Sequence, residues 1–234
     1  FPVHINLTFF MEILPLSPKA VKDKVVAIRV DFNIPLSKGK ISETTRLKES
    51  IPTLKYLLEK GAQKIHILSH MGRPKGTVKP ELSLRICIPL LQELLGEKVE
   101  FRNQYTSGKT RVQLHENVRF NPGETINDAA FIQQLLALKA QVFVNDGFAV
   151  SHRAHASVVG LASFLPSYPG FLLQKEIDHL APFLSTKKQP QLTIVTGGAK
   201  IGTKINVLQH FARIAENIII GGALANTFLA AQGY

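Results

Sequence analysis

The stretch Lys24–Arg46, KVVAIRVDFNIPLSKGKISETTR, is a hydrophobic run that stops abruptly on polar residues. Val25–Val30 reads as a strand buried on both faces, because its apolar residues are continuous rather than alternating. Asp31 and Asn33 come next, Pro35 closes the run, and Ser37–Gly39 makes a polar loop before Arg46 begins a helical region. The pattern recurs. Lys64–Leu68, Lys98–Phe101, Val112–Leu114, Val142–Asn145, Leu192–Thr196 and Asn217–Ile220 are further strand candidates, with helical periodicity between many of them.

Helix punctuation supports the alternation. Ser50 can cap a helix with Pro52 in its first turn, Leu54, Leu57 and Leu58 on its apolar face, and Gly61 as its stop. Leu84–Leu95 reads as a helix ending at Gly96. Asn127 can cap a helix that buries Phe131, Leu135 and Leu138, and Thr203 one that buries Val207, Phe211 and Ile214. Strands alternating with helices specify βαβ units. The expected class is α/β, a doubly wound, Rossmann-like parallel sheet in three α/β/α layers.

The 234 residues allow one large or two modest domains. Residues 1–10 lack a basic leader region and a cleavage site and read as extraneous or disordered, with Met11 a more ordinary start. Residues 11–170 form the expected N-terminal domain. Residues 171–189 are expected to be a connecting helix and linker. Phe171–Leu184 is the helix, with Leu172, Leu173, Ile177 and Leu180 on one side, and the polar STKKQPQ segment comes after it. Residues 190–234 start a second domain, expected to be truncated because so few strands cannot bury a sheet core.

A net charge of +11 favours anionic partners: nucleic acid, acidic lipid or phosphorylated metabolites. No apolar run reaches the ~18 residues of a membrane span. The single cysteine, Cys87, excludes an internal disulfide and suits a reducing, cytoplasmic setting.

In a doubly wound sheet, ligands bind outside the carboxyl ends of the strands. Those ends deliver Asp31, Asn33 and Arg46; Ser69, His70, Gly72 and Arg73; Glu116, Asn117 and Arg119; and Asp146, His152, Arg153 and His155. Arginines gathered on one rim describe a pocket for a small, multiply anionic ligand, since guanidinium binds phosphate or carboxylate bidentately and keeps its charge. His70 and His152 fit hydrogen-bond donors better than metal ligands, and no His/Cys cluster has zinc spacing. In IVTGGAKIGTKI, Gly197, Gly198, Lys200 and Lys204 bring backbone and cations to a helix start suited to phosphate, and Gly221-Gly222 repeats the glycine pair. It is not a Walker A motif. The alternative is a basic, non-catalytic nucleic-acid-binding module, which the scattered lysines and the lack of tryptophan disfavour.

RVDFNIP (Arg29–Pro35), SHMGRPKG (Ser69–Gly76), ENVRF (Glu116–Phe120), SHRAHAS (Ser151–Ser157), GFLLQKEI (Gly170–Ile177) and GGAK (Gly197–Lys200) resemble, in order and spacing, the phosphoglycerate kinase family. The resemblance covers Val21–Tyr234. It implies a soluble, monomeric glycolytic kinase that moves a phosphoryl group between 1,3-bisphosphoglycerate and ADP, with Mg²⁺ carried by the nucleotide. By resemblance, Asp31, Asn33, Arg46, His70, Arg73, Arg119 and Arg153 would hold 3-phosphoglycerate. Gly197, Gly198, Lys200, Lys204, Gly221 and Gly222 would meet the nucleotide. Arg46 and Lys200 would stabilise the transferring group, facing each other when the domains close. Gly147, Ala149, Gly202-Thr203 and Asn226 depart from the family's usual residues.

Overall fold

The computed structural model describes residues 13–184, 191–198, 202 and 204–234. The expectations for residues 1–10, for linker residues 185–190, for Lys200 and for Thr203 as a cap lie outside that set. The chain forms two compact units that divide inside one helix, between Glu176 and Ile177.

In the first unit, a short helix α1 (Pro18–Val21) leads into β1 (Val25–Arg29) and a small antiparallel hairpin, β2 (Leu36–Ser37) and β3 (Lys40–Ile41). Then come α2 (Thr45–Glu59), β4 (Lys64–Leu68), α3 (Ile88–Leu95), β5 (Val99–Arg102), β6 (Val112–His115) and α4 (Ala129–Leu136). The unit continues through β7 (Val142–Asn145), α5 (Phe148–Ser151), β8 (Ser167–Pro169) and α6 (Phe171–Leu180). The sheet runs β5-β6-β4-β1-β7-β8 with every neighbouring pair parallel. The strands whose ends carry the candidate site, β6, β4, β1 and β7, are therefore contiguous.

Successive strand residues face opposite layers. Val26, Ile28, Ile65, Ile67, Val112, Leu114, Val142 and Val144 join one core with Leu47, Leu54 and Leu57 of α2 and Leu91 of α3. Ala27 and Phe143 join another with Phe131 and Leu135 of α4 and with Leu161. Both faces are covered, which is why the strands read as unbroken apolar runs.

Several local expectations shift. The α2 helix begins at Thr45 rather than after Ser50; its N-cap residue, Thr44, makes no side-chain cap bond, and the preceding Glu43 carboxylate accepts from the Thr45 amide. Ser50 sits inside α2, donates to the Arg46 carbonyl at 3.1 Å, and Pro52 is an interior residue. Leu84–Leu95 splits into a 3₁₀ turn, Leu84–Cys87, and α3, which ends on left-handed Gly96 as expected. Asp128, not Asn127, caps α4, accepting from the Phe131 amide at 3.0 Å. The short β2, β3 and β8 carried no readable run.

Two buried histidines, on the paired strands β4 and β6, share one face of the sheet. His66 Nδ1 lies 2.9 Å from His115 Nε2, and His115 Nδ1 lies 3.1 Å from the Gln104 carbonyl. Burial pulls His66 down to about 3 and His115 to about 4, well below the ordinary imidazole value. Depressed folded-state values mean that the unfolded chain binds the extra protons. The stability is therefore present above about pH 6.5 and is lost as pH falls toward the folded values. Urea unfolding is expected to show a loss of roughly 2 kcal/mol per histidine between about pH 7 and pH 5. A stability unchanged over that interval would contradict it.

The second unit, from Ile177, holds the end of α6, β9 (Thr193–Gly197), α7 (Ile205–Ile214), β10 (Asn217–Gly221) and α8 (Gly222–Ala231). Its strands pair in parallel, Gly197 opposite Gly221. In α7 the buried residues are Leu208 and Ile214, whereas Val207, expected inward, is 53% exposed. No described helix is long and apolar enough to cross a membrane.

Candidate functional site

The ends of the contiguous strands converge through hydrogen bonds rather than merely sharing a rim. Just past β1, Asp31 turns its carboxylate back to the Asn33 amide at 2.9 Å and ion-pairs with Arg46 of α2. The early start of α2 puts Arg46 in its first turn, within reach of Asp31. Asn33 Oδ1 accepts from the Gly72 amide at 2.8 Å, and the Gly72 carbonyl accepts from Arg119 Nη1 at 2.8 Å. This links the loops after β1, β4 and β6. Gly72 is needed there: its φ is +63°, and a Cβ would meet the Leu82 side chain at 2.9 Å.

Arg119 lies in a 3₁₀ turn, Val118–Phe120, whose amide is held by Asn117 Oδ1 at 3.0 Å. Asn117 is in turn fixed by donating to the Met71 and Leu82 carbonyls. The turn leaves the Arg119 guanidinium largely buried, its Nε without a partner. Burial first, then the charges of Arg29 and Arg153, pull Arg119 down to about 10. A cation held among cations is poised for an anion.

His70 is buried, and burial and then the neighbouring Arg29 and Arg119 hold it far below its ordinary range, so it is neutral at pH 7. Arg153 is half-buried, and Arg73 is exposed. Glu116, by contrast, binds Ser83 Oγ at 2.7 Å and the Leu84 amide at 3.0 Å, a brace for the 3₁₀ turn before α3.

Sequence reasoning passed over Arg29 and Glu124. Arg29 is wholly buried although it lies within a strand. The readable signal was an arginine inside an otherwise apolar run. Glu124 is wholly buried as well and accepts from Ser157 Oγ at 2.7 Å and from the Ser157 amide at 2.9 Å. It had no signal, because its partners come from distant segments.

A cavity of about 1260 Å³ in this unit is lined by residues such as Leu36, Pro80, Leu82, Tyr105, Glu116 and Asn117. None of the candidate arginines lines it.

In the second unit the glycine pairs sit side by side at the ends of β9 and β10. A Cβ on Gly197 would come within 3.2 Å of the Gly221 carbonyl. Lys204 Nζ bonds the Gly197 carbonyl, and Gly198 has φ +132° with Lys204 Nζ where a Cβ would crowd it. Gly222 opens α8, so backbone amides and a lysine face the same strand ends. Among the described residues, no group of three or more His, Cys, Asp or Glu could hold a metal ion.

Comparison with known proteins points to one family. The family model described as Phosphoglycerate kinase matches residues 16–234. The phosphoglycerate kinase of Moorella thermoacetica is 44% identical over 231 residues, covering 94% of this chain and 58% of its own length. That of Maricaulis maris is 44% identical over 233 residues, 95% of this chain and 57% of its own. Among solved structures, phosphoglycerate kinase from Coxiella burnetii superposes with a TM-score of 0.84 at 37% identity, covering 95% of this chain and 58% of that one. The chain thus spans less than two thirds of the length of these relatives.

Proposed function

Because the chain belongs to the phosphoglycerate kinase family, we propose that its first unit binds 3-phosphoglycerate and that its second unit contributes to the binding of ATP or ADP. The reaction is reversible transfer of a phosphoryl group from 1,3-bisphosphoglycerate to ADP, giving 3-phosphoglycerate and ATP. The observation that carries this reading is the interlocked set Asp31, Asn33, Arg46 and Arg119 at adjoining strand ends, with buried His70 beside Asp31. Arg73 comes from the same loop as His70, and Arg153 follows α5, beyond the neighbouring strand β7.

The chemistry suits these residue types. In the ATP-forming direction the leaving group is a carboxylate, and in reverse the same carboxylate attacks already ionised. No general base is required, and catalysis rests on positioning and on neutralising the equatorial oxygens. Arg46 and Lys200 take that role, with Lys204 and the glycine pairs Gly197, Gly198, Gly221 and Gly222 toward the nucleotide phosphates. Mg²⁺ would arrive on the nucleotide phosphates and there offset their charge. A monomer in the cytoplasm completes the reading. Turnover by these 234 residues alone is expected to be weak or absent, since they span 58% of a relative's length.

Calorimetric titration with 3-phosphoglycerate, against an oligonucleotide at physiological salt, tests the assignment. Preference for the oligonucleotide would sink it. Arg46→Ala is expected to weaken 3-phosphoglycerate binding about tenfold, the loss of one charge-assisted contact. Its stability should change by less than about 1 kcal/mol, because the Arg46 side chain is 45% exposed in its pair with Asp31. Equal binding by the variant would remove Arg46 from the site.

A further inference from the structure

We infer that Arg29 and Glu124 are positioning residues: a buried relay, Glu124–Ser157–Arg29, holds His70 with its proton on Nε2, as a fixed hydrogen-bond donor to the ligand. That the ligand is 3-phosphoglycerate rests on the function proposed above; the relay itself does not.

The polarity is set by which atoms can donate. A guanidinium has only donors. Arg29 Nη2 lies 3.0 Å from His70 Nδ1, so Nδ1 must present its lone pair and a neutral ring must carry its proton on Nε2. The competing acceptor, Asp31 Oδ1, is 3.9 Å from Nδ1, too far for a hydrogen bond. His70 Nε2 makes no hydrogen bond to the described residues and is not among the buried polar atoms left without a partner, so it is the open edge of the ring.

Arg29 has no freedom to turn away. It is wholly buried, Nη1 donates to the Val30 carbonyl, and Nε donates to Ser157 Oγ at 2.9 Å. The Ser157 hydroxyl gives its own proton to Glu124 Oε1 at 2.7 Å, which leaves a lone pair toward Arg29. Donation therefore runs one way, from Arg29 to His70 on one side and through Ser157 to Glu124 on the other. Glu124 also fixes the turn that supplies Ser157. Its carbonyl accepts from the Ala156 amide at 2.9 Å and its Oε2 from the Ser157 amide at 2.9 Å, at the start of the π-helical turn Ala156–Gly160. Such turns concentrate at functional sites.

The charged groups around His70 point the same way. Arg29, Arg119, Arg46 and His155 oppose a second proton, and the carboxylate of Asp31 stands 3.9 Å from Nδ1. His70 thus serves as a neutral N–H donor and not as a proton acceptor.

Nitrogen NMR of the histidine rings in the 234-residue chain, first ligand-free and then with 3-phosphoglycerate, decides the matter. His70 is expected to show a bare Nδ1 and a protonated Nε2, without titrating near the usual ~6.5. Arg29→Lys keeps the charge but loses the Nη2 contact. It is expected to give mixed tautomers or a titrating ring and roughly tenfold weaker binding, a single lost charge-assisted bond. Unaltered His66 and His115 signals would report an intact fold. A wild-type His70 protonated on Nδ1 overturns the relay whether or not the variant folds, and so does a pure Nε2–H ring in Arg29→Lys. If the tautomer is as expected but 3-phosphoglycerate does not bind the wild type, the relay stands and the ligand assignment fails.

Discussion

Arg119→Ala is expected to weaken 3-phosphoglycerate binding about 100-fold, near 3 kcal/mol, while leaving the fold as stable as before. Arg119 is the most buried of the arginines proposed to meet the ligand, and its Nε has no partner. A ligand phosphate or carboxylate would complete its hydrogen bonding in a setting that water screens poorly, where truncating one partner of a charge pair removes a large share of affinity. The variant loses one bond to the Gly72 carbonyl but also relieves repulsion from Arg29 and Arg153. These act in opposite directions on stability. Calorimetry and chemical unfolding of the same sample would check both halves, and a variant that binds normally would place the ligand elsewhere.

Glu124→Ala is expected to cost about 3–5 kcal/mol of stability, enough to unfold much of the first unit at moderate temperature. The carboxylate is wholly buried, and its removal strands the amide and hydroxyl of Ser157 and takes from buried Arg29 the stronger of two compensating carboxylates, leaving Asp31. Burial pushes the Glu124 carboxyl upward, but bonds from His155 and Ser157 and the charge of Arg29 outweigh it and hold the group below its ordinary value. With no tryptophan in the chain, urea unfolding is best monitored by circular dichroism. A loss under about 1 kcal/mol would show that Glu124 is not a structural keystone. Glu124→Gln should fall between, since the amide oxygen can still accept from Ser157 while the charge is gone.

The sheet was legible because its faces are both covered. Parallel strands buried on two sides must be continuous in apolar residues, and Val25–Val30 and Val142–Asn145 therefore announce themselves. Strands of two or three residues such as β2, β3 and β8 carry too little pattern to read. Helix starts were less legible. Ser50 and Asn127 are good capping types, yet α2 starts after Thr44 with the Glu43 carboxylate on the Thr45 amide, and Asp128 caps α4, because the choice depends on which side chain can reach an unpaired amide.

The sequence by itself determined the α/β class, the strands that deliver polar residues to one edge, and the identity of the arginines there. These depend on local periodicity and on the residues immediately past each strand, both written in adjacent positions. Tertiary structure alone decided which of those residues interlock: Asn33 with Gly72 and Arg119, Asp31 with Arg46, and the buried line from Glu124 through Ser157 and Arg29 to His70. The physical reason is separation along the chain. Hydrogen-bond partners from four different loops meet only when the parallel sheet sets their strands side by side, and burial then makes each polarity consequential.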